Sequence, residues 1–188
     1  MTTMTSAAPS FLPHGRELTR ADLHTLPDDG HRYELLDGAL IVTPAPRIRH
    51  QDVVLNLAVA LRSAVTPDLK VVVAPVDVVL ADDTLLQPDV LIAPREAFTD
   101  IDLPGQPLLA IEVLSPSTRS IDLLLKKERL QRAGCQHYWV IDPEQPAATA
   151  WSLVDGVYRE VTSAVDNEPF AVTSPVSVRF TPRELARA

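Results

Sequence analysis

Two apolar runs, Pro88-Asp-Val-Leu-Ile-Ala93 and Leu108-Leu-Ala-Ile-Glu-Val-Leu114, constrain this chain more than any other feature. Apart from a single acid each, neither alternates between apolar and polar residues, so both read as strands buried on two faces. The stretch from about Arg119 to Ala133 follows as a helix, with Ser117 as a candidate cap and Gly134 as a left-handed stop. Tyr138-Trp-Val-Ile-Asp142 is then a further strand, halted by Pro143. Strand, helix and strand in that order suit a parallel pair joined by a right-handed crossover.

The remaining segments add strands around that unit. Thr19 and Asp22 have the spacing of an N-cap and its N3 partner, which predicts a short helical turn within residues 18–26. Asp37-Gly38 lies between two β-forming runs and predicts a hairpin over residues 32–43, because both residues tolerate positive φ. Between Pro46 and Pro67, Val53, Val54, Leu57, Leu61 and Val65 form a helical stripe. Short strands are expected at residues 71–74 and 76–80, a second hairpin around Asp155-Gly156, and a β-type tail at 170–172 and 176–180.

The acids inside the apolar runs violate the pattern and are therefore informative. An unpaired carboxylate in a buried strand costs several kcal/mol, so Glu112 needs a cation, a donor set or a raised pKa. Asp89 opens its run in the same way. Two acids on neighbouring strands could present oxygens to one hard divalent ion, and the plainer reading of Asp89 is a strand-edge acid. Lys126 stands four residues after Asp122 on the predicted helix. That spacing makes either a surface ion pair or an ammonium held over the sheet end. Lys127 is expected to be solvated, and Asp77 to face solvent unless it lies near the site. His50 and Gln51 suit helix capping, and Ser115 and Ser117 suit a turn.

Composition limits the partners. The 188 residues suffice for one domain with a substantial core. A net charge of −8 argues against general affinity for nucleic acid, and leaves room for a local basic rim from Arg47, Arg49, Arg119, Lys126, Lys127, Arg129 and Arg132. The single cysteine, Cys135, excludes an internal disulfide and reads as a small buried hydrophobe. A lone thiol without a secretory apolar segment points to the cytoplasm, and no run approaches the roughly 18 apolar residues of a membrane span.

Several strings, taken in order, resemble a known family. They are Arg32-Tyr-Glu-Leu-Leu-Asp-Gly38, the helix starting at His50-Gln51, Gln87-Pro-Asp-Val90, Ile111-Glu-Val-Leu-Ser-Pro-Ser-Thr118, the Asp122 to Lys126 helix, and Ala133-Gly-Cys-Gln-His-Tyr-Trp-Val-Ile-Asp-Pro143. From about residue 17 to 162 the chain resembles the Uma-two family of restriction-endonuclease-like proteins, a branch of the PD-(D/E)XK nuclease superfamily. The resemblance implies an α/β fold with a restriction-endonuclease-like mixed β-sheet core flanked by helices, and β-hairpins near both ends. The N-terminus, rich in Thr, Ser, Ala and Pro, reads as a flexible leader over residues 1–16, and the resemblance implies one nuclease-like domain over 17–188.

The resemblance also implies a site. Asp89 and Glu112 would be metal ligands for Mg²⁺ or Mn²⁺, Glu34 an additional acid, and His50 a polar auxiliary. The superfamily's lysine usually follows the second acid by two residues, where this chain has Leu114. Lys126 on the helix would take its place. The implied activity is metal-dependent endonucleolytic hydrolysis of phosphodiester bonds in nucleic acid, with DNA as the first expectation and RNA as another, in a homodimer. The alternative is a catalytically inactive binding or assembly module on the same fold.

Overall fold

The structure is a computed structural model that describes Leu12, Pro13 and residues 15–187. Most of the leader expected over residues 1–16 lies outside those residues. Arg16 is described, and its guanidinium grips Asp22. Asp22 in turn accepts from the Thr19 backbone N–H at 2.8 Å and the Thr19 hydroxyl at 3.0 Å. This caps α1 (Arg20–Leu23) as the spacing predicts.

Turn chemistry sets the first hairpin. Strands β1 (Arg32–Leu36) and β2 (Ala39–Thr43) pair antiparallel across Asp37 and Gly38, whose φ values are +48° and +75°. This hairpin joins β5 (Thr84–Leu86), β4 (Asp77–Ala81) and β7 (Asp102–Pro104) in a sheet of order β2-β1-β5-β4-β7. Strands β5 and β7 have three residues each, too short to leave a periodic signal in the sequence.

The second sheet carries the buried strands. Its order is β11-β10-β9-β8-β6-β3, built from β3 (Leu69–Val73), β6 (Val90–Pro94), β8 (Leu109–Val113), β9 (His137–Asp142), β10 (Ala147–Val154) and β11 (Val157–Val165). Strands β8 and β9 are parallel, and the other pairs are antiparallel. The crossover between β8 and β9 is a π-helical segment, Ile121–Lys126, continuing into α3 (Lys127–Arg132). Gly134 follows at φ +82°. The mixed α/β architecture expected from the sequence is therefore present, divided between two large sheets and a two-stranded ribbon.

Packing explains why β8 and β6 are apolar on both faces. On one face Val90, Ile92, Leu109, Ile111 and Val113 meet α2 (Ile48–Ala64) through Val53, Leu57 and Leu61. A ribbon of β12 (Phe170–Val172) and β13 (Val178–Phe180), followed by α4 (Pro182–Leu185), covers the same side, where Phe170 meets Trp139 edge-on at 5.3 Å. On the other face Ala110, Leu114, Tyr138 and Val140 pack against Leu36 and Leu86 of the first sheet and Leu130 of α3. Leu91 and Ala93 meet Val78 and Leu103 there as well. The sheet is a middle layer, and its acids point into the seam between the two sheets. No helix among the described residues is long and apolar enough to cross a membrane.

Candidate active site

Strand alternation brings the acids together. Val90 pairs with Ile111 across β6 and β8, which sets Asp89 opposite Glu112 at the end of the ladder. The Val113 backbone N–H donates to Asp89 Oδ2 at 2.9 Å and locks that register. Glu34 reaches the same seam from β1, where its Oε1 accepts the Gln87 backbone N–H at 2.7 Å. Glu34, Asp89 and Glu112 are 0%, 3% and 1% exposed, so each must be compensated inside the protein.

Lys126 supplies much of that compensation. It is 1% exposed, and its Nζ lies 2.9 Å from Glu34 Oε1, 3.2 Å from Glu112 Oε1 and 3.5 Å from Asp122 Oδ1. Of the two readings of the Asp122–Lys126 spacing, the surface pair is excluded. The π-helical turn delivers the ammonium inward, and the Tyr138 hydroxyl donates to the Asp122 carbonyl at 2.7 Å. Leu114, at the position where the superfamily usually carries its lysine, is packed in the core on the same face as Ala110.

Asp89 has its own partners. Arg32 Nη1 donates to its Oδ1 at 3.0 Å, and His50 Nε2 stands 3.2 Å from its Oδ2. His50 thus serves Asp89 rather than acting only as a helix-start residue. Arg32 was not singled out by the sequence, although strand periodicity places it two residues before Glu34 on the same face. The sequence marks Asp122 only as a partner of Lys126. It is buried, with its Oδ2 accepting from the Thr118 hydroxyl at 2.7 Å.

These contacts polarise the acids differently. Burial works to raise Asp89, but His50, Arg32 and the Val113 N–H outweigh it and hold the carboxyl at about 2. For Glu112 burial wins: its pKa rises well above the ordinary value, with Asp122, Asp89 and Glu34 adding repulsion against the pull of Lys126. Asp122 is raised for the same leading reason. Burial pulls Lys126 down, yet Glu112, Glu34 and Asp122 together push it above the usual lysine range, so it stays an ammonium.

Other expectations changed on folding. Lys127 is not simply solvated: its Nζ sits 3.6 Å over the Trp151 ring. Asp77 accepts from the Gln87 side chain at 2.7 Å and lines the cleft beside the site. Ser117 makes no helix cap; its hydroxyl meets Ser115 at 3.0 Å in the turn. The basic rim is largely neutralised. Arg47 and Arg49 face Glu144, Arg119 pairs with Asp142, and Arg129 and Arg132 both pair with Asp37.

A cleft of about 720 Å³ opens onto Arg32, His50 and Asp89, with Asp77, Ser115 and Ser117 on its walls. Glu34, Glu112 and Lys126 lie behind that wall. Among the described residues no group of three or more His, Cys, Asp or Glu is already gathered as a metal-binding set. The donor chemistry nevertheless suits a hard divalent ion. Four buried carboxylates (Glu34, Asp89, Glu112 and Asp122) face two strong cations, Lys126 and Arg32, and Glu34 Oε2 is buried without a hydrogen-bond partner.

The fold belongs to a nuclease-like class. Among solved structures it is similar to a putative nuclease belonging to DUF820 from Anabaena variabilis, with a TM-score of 0.69 and 18% sequence identity over 90% of this chain and 97% of that one. The Uma2 family, described as "putative restriction endonuclease", matches residues 20–183, and this chain belongs to that family. No curated protein matches it.

Proposed function

We propose that this protein is a metal-dependent endonuclease that hydrolyses phosphodiester bonds in nucleic acid, DNA first among them. The observation that carries the reading is the meeting of Glu34, Asp89 and Glu112 around buried cations at the back of a cleft. Stability alone is a weak reason for acids from separate sheets to converge in a core, since apolar residues of like volume often serve as well or better. Membership in the Uma2 family supports the same reading.

Asp89 and Glu112, with Glu34 assisting, are the residues that would hold Mg²⁺ or Mn²⁺. Such an ion, when bound, polarises the phosphate and lowers the pKa of a water. Asp89 enters the reaction ionised, because its neighbours hold it far below neutrality. Lys126 stays protonated and acts as a fixed positive charge behind the acids that would hold the ion; it is not a base. His50 orients Asp89 from the cleft wall. Cleavage of both strands of a duplex calls for two such sites, hence a homodimer, which light scattering during size-exclusion chromatography tests.

Purified protein incubated with plasmid, single-stranded DNA or RNA should cleave with Mg²⁺ or Mn²⁺ and not with EDTA. Asp89→Ala and Glu112→Ala should each abolish cleavage. Absence of metal-dependent cleavage, or cleavage untouched by both substitutions, refutes the proposal.

A second reading, an inactive binding or assembly module, is favoured by the paired arginines of the rim and the net charge of −8. A calorimetric titration showing no Mg²⁺ or Mn²⁺ uptake selects it.

A further inference from the structure

Arg32 stands between the cleft and the acids. Its side chain is 22% exposed and lines the cleft, in front of the fully enclosed Glu34, Glu112 and Lys126. It holds Asp89 through Nη1 alone, at 3.0 Å. Its Nε lies 4.0 Å from Glu34 Oε2, beyond hydrogen-bonding distance, and both atoms are buried without a partner.

A guanidinium built as permanent structure presents its planar fork to both oxygens of a carboxylate and leaves few donors idle. Arg32 instead straddles two acids and satisfies one. The carboxylates that stabilise its charge are Asp89, Glu34 and Glu112, although burial opposes them. Those are the same three residues assigned above to the divalent ion. Lys126 differs in each respect, being enclosed and in contact with three acids.

We propose that Arg32 is a resident counter-cation that takes the place of the divalent ion in the metal-free protein, and that ion binding displaces its guanidinium from Asp89 into the cleft. The inference rests on the metal-site reading of the previous section. Exchange of one cation for another gives Arg32 two effects of opposite sign. It keeps the metal-free protein folded by neutralising Asp89, and it weakens ion binding by competing for the same oxygens. An arginine that served the ion only by positioning Asp89 would favour both folding and binding.

Calorimetric titration of Mn²⁺ into the full chain, with thermal unfolding in EDTA and in saturating Mn²⁺, separates these roles. Arg32→Gln should bind Mn²⁺ about tenfold more tightly than wild type. Its Tm should fall below wild type in EDTA, and the gap should close in Mn²⁺. Arg32→Lys keeps the competing charge and should stay within about threefold of wild-type affinity. If wild type binds Mn²⁺ and Arg32→Gln binds it equally or less well, the proposal is overturned while the metal site stands. If neither binds, the metal reading itself fails and the inference falls with it. Should Arg32→Gln not fold in EDTA, it must fold at lower Mn²⁺ concentrations than wild type needs for half-saturation; absence of that rescue also overturns the proposal.

Discussion

Lys126 Nζ lies 2.9 Å from Glu34 Oε1 and so ties the crossover helix of one sheet to the first strand of the other. Both groups are enclosed, and the same ammonium also meets Glu112 and Asp122. Removing it leaves three acids with no counter-charge nearby except Arg32. Lys126→Met should therefore destabilise the protein by roughly 3–5 kcal/mol, read from urea unfolding in EDTA. A change under about 1 kcal/mol would show that the acids are protonated rather than paired.

Glu112 sets a pH dependence. Burial raises its pKa, so the folded protein binds that proton more tightly than the unfolded chain does. The resulting stability is fully present below the ordinary value of 4.5 and is lost as pH rises toward the folded value. Glu112→Gln removes the penalty of ionisation. In EDTA the variant should be more stable than wild type near pH 8, with the difference shrinking toward about pH 4. Parallel stability curves for the two proteins would count against this account of Glu112.

Cys135 should be chemically quiet. It is fully buried, its Sγ–H points to the His137 carbonyl at 3.2 Å, and burial lifts the thiol to about 11. Alkylation by iodoacetamide near pH 8 should run roughly a hundredfold slower than for free cysteine, and recover on denaturation. Fast labelling of folded protein would contradict the packing around this residue.

Gly38 is required by the first hairpin for two reasons. Its φ is +75°, and a Cβ placed there would stand 2.5 Å from Glu17 Cβ and 3.2 Å from the Glu17 Cα. Its N–H also donates to the Asp83 carbonyl at 2.8 Å, so the turn cannot easily shift. Gly38→Ala should lower stability by roughly 1–3 kcal/mol in thermal unfolding.

Local chemistry made much of this protein legible in advance. The hairpin turns at Asp37-Gly38 and Asp155-Gly156, the Thr19–Asp22 cap and the stripe of α2 all follow from interactions within a few residues. Such features are decided by φ preference, hydrogen-bond reach and the period of apolar residues, which a sequence carries directly. Glu112 was legible for a related reason: an acid in an otherwise apolar strand announces that something must compensate it.

What compensates it was decided only by the tertiary structure. The sequence shows Asp122 and Lys126 at a spacing equally suited to a surface pair, and nothing local says that a π-helical turn carries the ammonium inward. Arg32 looks like the polar start of a strand until two sheets stack and bring it to Asp89. The arginines that resemble a basic rim in one dimension are each matched to an acid from another segment. Charge pairing depends on distances between remote segments, and those distances exist only after the apolar faces have chosen how to pack.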